Sequence, residues 1–398
     1  MNAPHNVRKP GDLDLEFGES GLAPFPAGLT DGESGLLSNG KIITAATDST
    51  NPVVFVLRHL ETGELDTSFG EQGSLRIDLP DGELSRATKL LVLADDSALV
   101  YGPLEQGSGH RSYICRVLPS GEFDQAFGES GFCIMDMDDH GNFIIQLIAL
   151  SDGKVAGLVT ASRMDGYFGA YIVRLVDGRF DPTFGDSGQG YISLDPGPYF
   201  DIAESANHRF LVTPRATPGV AIIRQYLENG EHDLDFGMQG QYLLPKPTPE
   251  AEALFNELEV LPDGKILAVG QANVGFGTHT LTVRLTPDGN EDPTFNNGEP
   301  KIMVFQGHET VANWVAPQPD GKIVVAGNTV AQPRQVILMR MEANGAMDMS
   351  FGINGQVISS FASDSAGHEV QVQDNGKILV TGSISSAQHK VLLARYLG

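Results

Sequence analysis

Runs of apolar residues separated by short polar turns recur along the chain and predict short β-strands. In most units two apolar runs flank a tight turn, and a third run rich in Val, Ile and Leu follows. Asn-Gly and Asp-Gly between apolar runs predict hairpins, because both central residues of the turn need positive φ. The dipeptides are Asn39-Gly40, Asp152-Gly153, Asp263-Gly264, Asp320-Gly321 and Asn375-Gly376.

A glycine-bounded segment with an internal Asp and Phe follows each third run, and a fourth apolar run comes after it. Neighbouring copies begin 52 to 59 residues apart. Self-similarity at such a period indicates one supersecondary unit per copy. Four strands in each of seven units predict an all-β fold, a seven-bladed β-propeller with four-stranded blades. The copies begin at Gly11, Gly63, Gly121, Gly178, Gly230, Gly289 and Gly345.

The position of the first copy predicts how the ring closes. The chain begins inside the glycine-bounded segment and ends just after a third strand. We therefore expect an N-terminal tail over 1–10 and a single propeller domain over 11–398, with the strand after Gly21 completing the last blade (1+3 closure). A parallel β-solenoid is the alternative, but its coils would be shorter and would need end caps.

The motif D-x-x-F-G-x-x-G, followed by DGKI-like hairpins, resembles the delta-60 repeat family of bacterial β-propellers. The resemblance covers residues 11–398. It implies the propeller fold and no established activity or catalytic residue. Two copies depart from the pattern: the fourth hairpin is Asn207-His208-Arg209, and the sixth copy lacks one residue between Phe295 and Gly298.

The charge of the chain restricts the partners. With 51 acidic and 26 Lys and Arg residues the formal net charge is -25. Such a charge repels phosphate backbones and anionic lipids, so we expect no nucleic-acid partner, and no apolar run is long enough to span a membrane. We expect a monomer. Because this sequence shows no secretory leader, we expect it to be cytoplasmic, and leaderless export is left open. Cys115 and Cys133 are too few for a disulfide framework and predict core thiols.

One arginine in each third strand precedes one aspartate in the next turn by seven to nine residues. A carboxylate that accepts an arginine and backbone N–H groups fixes a turn. Because the pairs repeat from blade to blade, they predict a scaffold and not an active site. The predicted pairs are Arg58–Asp66, Arg116–Asp124, Arg174–Asp181, Arg224–Asp233, Arg284–Asp292, Arg340–Asp348 and, across the closure, Arg395–Asp14.

The loops that lead from each fourth strand to the next first strand carry the candidate site. In other propeller families such loops surround the mouth of the central channel. Their acidic side chains predict a rim that binds a cation or a partner's Lys or Arg side chain, although polar loops can also merely cap strands. The candidates are Asp31, Glu33, Asp81, Glu83, Asp139, His140, Asp201, Glu252, His308, Glu309, His368 and Glu369.

The tripeptide Gly-His-Glu occurs twice in these loops and suggests a metal-binding hypothesis. His308 and His368 lie in adjacent units and are taken to occupy the same place in the repeat. Imidazoles so placed are the best candidate pair for a transition metal. The sequence specifies no cofactor, and a divalent cation is the kind that such a rim would accept.

These observations favour a non-enzymatic binding or scaffold protein with a small-molecule or protein ligand at the acidic channel mouth. The first alternative is a metal-assisted hydrolase or lyase that uses the same mouth. The second is a multivalent carbohydrate-binding module. Repeated aromatic platforms would indicate the latter, but aromatic residues make up 8% of the chain and Trp314 is its single tryptophan.

Overall fold

The computed structural model describes most of the chain. The described residues are 8–51, 53–79, 85, 89–106, 109–135, 137, 141–162, 168–185, 188–215, 219–245, 251–275, 277–305, 307–361, 363–385 and 389–398, with the backbone alone at 31, 105–106, 109–110, 162 and 168.

Within these residues the chain forms β-strands and two short 3₁₀ turns, at Ala206–His208 and Asn296–Gly298. Blades one to three contain β1 Leu29–Leu36, β2 Ile42–Asp48, β3 Val54–His59, β4 Ser74–Ile77, β5 Lys89–Val92, β6 Ala98–Gln106, β7 Gly109–Val117, β8 Phe132–Met135, β9 Asn142–Ala149, β10 Val155–Ser162, β11 Phe168–Val176, β12 Arg179–Phe180 and β13 Tyr191–Ser193. Blades four to seven contain β14 Tyr199–Ser205, β15 Arg209–Pro214, β16 Ile222–Tyr226, β17 Gln241–Leu243, β18 Glu252–Val260, β19 Ile266–Val274, β20 Gly277–Leu285, β21 Lys301–Met303, β22 Thr310–Pro317, β23 Ile323–Thr329, β24 Val336–Met341, β25 Gln356–Ser359, β26 Asp364–Val372, β27 Ile378–Ser385 and β28 His389–Tyr396.

The strands of each unit pair in sequence order as one antiparallel sheet. The sheets are β1–β4, β5–β8, β9–β13, β14–β17, β18–β21, β22–β25 and β26–β28. In the third sheet both β12 and β13 pair with β11. The prediction of an all-β, seven-bladed propeller with mostly four-stranded blades is confirmed.

The hairpins between first and second strands form at the predicted turns, but the expectation of positive φ at both central residues is wrong: in the Asn-Gly and Asp-Gly turns only the glycine has it. In blade five Leu261 donates its amide to Lys265 O at 2.8 Å, and Gly264 sits between them at φ 82°. The Asp263 side chain accepts the Lys265 amide at 3.2 Å, as an Asx turn does. In blade four, where no glycine is present, Asn207 and His208 take up left-handed φ values of 61° and 55°.

The hydrophobic core lies between neighbouring blades. One cluster, for example, combines Leu211 and Phe236 of blade four with Leu258, Ile266 and Leu281 of blade five. Strands covered on both faces explain why the apolar runs in the sequence are consecutive and not strictly alternating. The phenylalanine of each glycine-bounded segment is buried in this way, at Phe17, Phe69, Phe127, Phe184, Phe236, Phe295 and Phe351.

The N-terminal segment lies beside β28. The Ala23 amide donates to Leu393 O at 2.9 Å, and the Arg395 amide donates to Gly21 O at 3.0 Å. The contact takes the form of isolated bridges, such as Leu22 with Ala394, where the sequence predicts a regular fourth strand. Beyond Ala23 no further backbone pairing of this segment with β28 is present among the described residues.

Five of the Arg–Asp pairs share one geometry. The arginine Nε lies 2.7 to 2.8 Å from the aspartate Oδ2, and the guanidinium stacks 4.4 to 4.9 Å from the centre of the phenylalanine ring three residues after the aspartate. A lysine from the hairpin contacts the same carboxylate at 2.8 to 3.3 Å. These clusters are Arg58–Asp66–Lys41, Arg174–Asp181–Lys154, Arg284–Asp292–Lys265, Arg340–Asp348–Lys322 and Arg395–Asp14–Lys377.

Blades two and four differ. Arg116 contacts Asp95 closely and lies 3.6 Å from Asp124. The predicted pair Arg224–Asp233 is wrong. Arg224 bonds instead to Asp195 at 2.7 Å, because the blade-four hairpin supplies another arginine: Arg209 contacts Asp233 at 2.8 Å.

The two cysteines are buried and free. Burial raises the pKa of Cys133 to about 11 and that of Cys115 further. Neither thiol therefore has the low pKa of a reactive cysteine.

Candidate functional site

The innermost strands of the seven blades place one equivalent residue each around the propeller axis. Each such residue lies seven positions before the second residue of the hairpin turn that follows it. We call this set the channel ring; its members are Glu33, Lys89, Gln146, Asp201, Glu257, Trp314 and Glu369.

A β-bulge occurs at this level in six of the inner strands. The pairing register shifts immediately before Glu257, Trp314 and Glu369, and at the corresponding place in β1, β9 and β14. In β5 the described residues begin at Lys89 itself. A bulge bends the strand and re-aims a side chain. The repeat thus re-aims one side chain toward the axis in each of these six blades.

Three of the ring carboxylates accept a hydrogen bond from the backbone of the next blade. The Leu90 amide donates to Glu33 Oε2 at 3.0 Å. The Leu258 amide donates to Asp201 Oδ2 at 2.7 Å. The Val315 amide donates to Glu257 Oε2 at 2.9 Å. These carboxylates therefore join neighbouring blades as well as charging the channel.

Lys89 makes the corresponding contact as a donor. Its Nζ donates to Ile145 O at 2.7 Å and to Gln146 Oε1 at 3.1 Å. This ammonium is the one cationic side chain of the ring, and its hydrogen bonds go to blade three. Both of these hydrogen-bond acceptors are neutral oxygen atoms.

Glu369 is the fourth ring carboxylate, and the Ser34 amide of blade one acts on it as the equivalent amides act on the other three. Its side chain is 7% exposed, and Oε1 accepts a hydrogen bond from Gln371 Nε2 at 2.8 Å. Its Oε2 makes no hydrogen bond of standard geometry, although the Ser34 amide of blade one is near enough to the carboxylate to lower its pKa. A buried acceptor without a donor is costly, so this oxygen is a place where a ligand donor or cation would be stabilised.

Burial raises the pKa of the ring carboxyls. It raises that of Asp201 to about 7, although the Leu258 and Ile202 amides oppose the shift. The pKa of Glu257 is well above its usual range because of burial first and then the charges of Asp201 and Glu259. Glu259, half-buried two residues further along β18, has its pKa raised to about 7 by burial and Asp201.

The other two ring carboxyls follow the same rule. Burial raises the pKa of Glu33, and Lys89 opposes this. Burial and then Glu33 place the pKa of Glu369 well above its usual range. The Glu369 charge also acts on Glu257, two blades away. Side chains from several blades therefore share one electrostatic environment at the axis.

The structure brings three of the twelve predicted site residues into this ring: Glu33, Asp201 and Glu369. Glu252 is exposed at the start of β18, and the Ala253 amide beside it bonds to Gly219 O of blade four. Glu309 directly precedes β22, where its carbonyl accepts the Val330 amide at 2.9 Å. The remaining candidates, namely the Asp31 side chain, Asp81, Glu83, Asp139 and His140, lie outside the described residues.

The metal hypothesis assumed that the two histidines occupy the same place in the repeat, and this assumption is wrong. His308 precedes β22 and forms an isolated bridge with Phe305. His368 lies at the bulge of β26, where its Nε2 is 3.3 Å from Ser383 Oγ. Counted back from the turn glycines Gly321 and Gly376, they are thirteen and eight residues away. Among the described residues, no group of three or more His, Cys, Asp or Glu could hold a metal ion.

Sequence reasoning missed four ring members, namely Lys89, Gln146, Glu257 and Trp314. They lie within strands, whereas the candidates were sought only in the loops. Counting back seven residues from each hairpin turn would have aligned them with Glu33, Asp201 and Glu369. The signal was thus present in the repeat register and absent from the residue types.

Nothing in the described part of the chain is a helix long and apolar enough to cross a membrane.

Comparisons with known proteins agree on the fold. A family described as "Domain of unknown function (DUF5122) beta-propeller" matches residues 261–295 and 318–351. No curated protein matches the sequence. Among solved structures, polysaccharide lyase Uly1 is similar at a TM-score of 0.54 and 9% identity, over 96% of this chain and 93% of that one.

Two further structures resemble the chain less closely. A protein of unknown function from Dyadobacter fermentans gives a TM-score of 0.45 at 14% identity, over 98% of both chains. Drosophila Semaphorin 1a, extracellular domains 1-2, gives 0.48 at 10% identity, over 95% of this chain and 87% of that one. At such identities the likeness to solved structures extends to the β-propeller fold alone.

Proposed function

We propose that this chain is a non-enzymatic binding propeller and that its channel ring binds a cationic nitrogen group. The group is an ammonium or guanidinium, carried either by a small molecule or by a Lys or Arg side chain of a protein partner. The observation that carries the proposal is the group of four buried or half-buried carboxyls around the axis, among them Glu369, which is 7% exposed and has one oxygen without a hydrogen bond of standard geometry. We also propose that the repeats are of the delta-60 type, on the strength of the D-x-x-F-G-x-x-G motif.

The charge balance of the ring supports this function. Four carboxyls face one ammonium, and that ammonium already bonds to Ile145 and Gln146. Glu33 and Trp314 keep part of their surface exposed, so solvent reaches this level of the channel. A cation at the axis would favour the ionised carboxylates that burial disfavours. Binding energy and ionisation of the ring are therefore coupled.

The experiment is a calorimetric titration with ethylammonium and guanidinium chloride, with sodium acetate as the anion control. We expect the cations to bind and to release protons at pH 7, because the pKa of Asp201 is raised to about 7 by burial and a nearby cation lowers it. Proton release is measured by repeating the titration in buffers of different ionisation enthalpy. The affinity should fall as KCl is added.

Two variants locate the site. Glu369→Gln keeps the shape of the side chain and removes its charge, so we expect cation binding to weaken about tenfold or more. Glu71→Gln, at an exposed position in the turn of blade one, is the matched control and should bind as the wild type does. A lysine-rich peptide in place of the small cations separates a protein partner from a free ligand. Absence of binding by every cationic probe, or equal binding by both variants, would overturn the proposal.

A further inference from the structure

Trp314 is the one aromatic member of the channel ring. It occupies the ring position of blade six, between Glu257 of blade five and Glu369 of blade seven. It is half-buried and is the single tryptophan of the chain. Every other ring position holds a carboxylate, an ammonium or an amide. An indole flanked on both sides by carboxylates is therefore a distinct feature of this side of the ring.

Neighbouring contacts hold the Trp314 segment in place. Asn313 Nδ2 donates to Gly367 O of blade seven at 2.7 Å and to Asn328 Oδ1 at 2.9 Å. The Val315 amide, on the other side of Trp314, donates to Glu257 Oε2. The indole itself packs against the apolar cluster between blades six and seven, which includes Val336 and Val370. The Trp314 indole is thus held in place by its neighbours and is not a loose surface side chain.

The aromatic face and the carboxylates favour one class of cation. The face of an indole attracts cations, most strongly when they are desolvated. A bare ammonium or a metal ion is strongly hydrated and prefers oxygen ligands, whereas an N-alkylated ammonium presents apolar groups around its charge. The Lys89 ammonium lies in blade two and bonds to blade three, although its charge also acts on Glu369.

We propose that the channel ring is selective for N-alkylated, above all quaternary, ammonium groups, held on the Trp314 indole between Glu257 and Glu369. This inference rests on the proposed cation-binding function and adds the class of ligand. The head group could belong to a free small molecule such as choline or to a methylated lysine of a protein. In both cases the same three side chains would bind it.

The single tryptophan is also the reporter for the test. Tetramethylammonium chloride and ammonium chloride are titrated at constant ionic strength, and binding is followed by Trp314 fluorescence and by calorimetry. We expect tetramethylammonium to bind at least about tenfold more tightly than ammonium and to change the emission of Trp314. A peptide containing one trimethyllysine, compared with choline and with the unmodified peptide, separates a protein ligand from a small molecule.

Two substitutions test the role of the indole by calorimetry. Trp314→Leu should bring the tetramethylammonium-to-ammonium preference close to one while ammonium binding remains, and Trp314→Phe should keep part of the preference. Circular dichroism and thermal unfolding without ligand check that each variant folds. If Trp314→Leu does not fold, Trp314→Phe alone tests the role of the indole. Equal affinities for the two cations in the wild type, or an unchanged preference in both variants, would overturn this inference and leave the proposed function standing. Failure of every cation to bind would remove both.

Discussion

Arg395 donates from Nε to Asp14 Oδ2 at 2.8 Å and so joins residues 381 positions apart in the chain. Both side chains are almost fully buried, and Lys377 Nζ lies 2.9 Å from the same carboxylate. Arg395 Nη1 also donates to Glu61 O of the first blade. The ion pair therefore links the N-terminal segment to β28, next to the first blade.

We predict that Asp14→Ala lowers stability by about 3 kcal/mol, because it leaves the buried Arg395 guanidinium and the partly exposed Lys377 ammonium without this counter-charge. Asp348→Ala is the matched control, since Asp348 has the same arginine and lysine contacts within the chain, from Arg340 and Lys322. The Asp14 variant should in addition lose hydrogen-exchange protection in β28 at native conditions, whereas the control should not. Equal protection of β28 in both variants would show that the pair has no special part in closure.

Blade four provides a second prediction, because among the described residues Arg209 is the one cationic partner of the buried Asp233 carboxylate. We expect Arg209→Ala to cost about 2 kcal/mol, since the aspartate would keep no cationic partner. Lys322→Ala in blade six should cost less than about 1 kcal/mol, because Arg340 still holds Asp348. Denaturant unfolding of the two variants measures the difference. Similar losses would mean that Asp233 finds another partner.

The carboxyls of the channel ring predict how stability changes with pH. Burial raises the pKa of Asp201 to about 7, so between its ordinary value and about 7 the folded state binds more protons than the unfolded state. Stability should therefore fall as the pH rises from about 5 to 8. Asp66 and Asp181 act oppositely: their hydrogen bonds and cationic neighbours hold their pKa below the usual range, so their contribution is lost only in stronger acid.

Asp201→Asn tests this assignment, because the amide oxygen can still accept the Leu258 amide while the charge is absent. Thermal unfolding across the same pH range should show a smaller fall in melting temperature for the variant than for the wild type. Asp95→Asn is the control, because the pKa shift of Asp95 has the opposite sign: Ser97 and Arg116 lower its pKa against the effect of burial. Parallel curves for Asp201→Asn and the wild type would contradict the raised pKa of Asp201.

The sequence predicts the blades far better than it predicts the site. Hairpin turns such as Asp263-Gly264 are local, and their residue types alone specify the backbone, so the blade count could be inferred from them. The channel ring depends on bulges whose position is set by pairing between strands. Glu33 and Glu369 were therefore named for their charge but placed in loops, while Glu257 was overlooked inside a strand.

The sequence also did not reveal that one ion pair changes its partner. The pairing of Arg224 with Asp233 followed from the repeat, but the change from lysine to Arg209 in the same blade gives Asp233 another partner. Nothing in the spacing distinguishes the two arginines. Only the folded geometry decides which guanidinium reaches the carboxylate.

Glu257 and Glu259 provide the last prediction, because they lie two residues apart on β18 and differ in their contacts. Glu257 is 3% exposed and accepts the Val315 amide of blade six, whereas burial and Asp201 act on Glu259 without a hydrogen bond. We expect Glu257→Ala to destabilise the protein by about 2 kcal/mol, because a buried amide loses its acceptor. The emission of Trp314, next to that amide, should shift to longer wavelength as the segment loosens.

Glu259→Ala should leave the Trp314 emission unchanged and should stabilise the protein at pH 8, since it removes a half-buried charge whose pKa is raised to about 7 by burial. Denaturant unfolding and fluorescence of the two variants at pH 8 make the comparison. If both variants shifted the emission alike, the Glu257–Val315 bond would have no special part in holding the ring. If neither did, the blades would be joined at this level by the Asn256 side chain, which donates to Ala312 O at 2.7 Å.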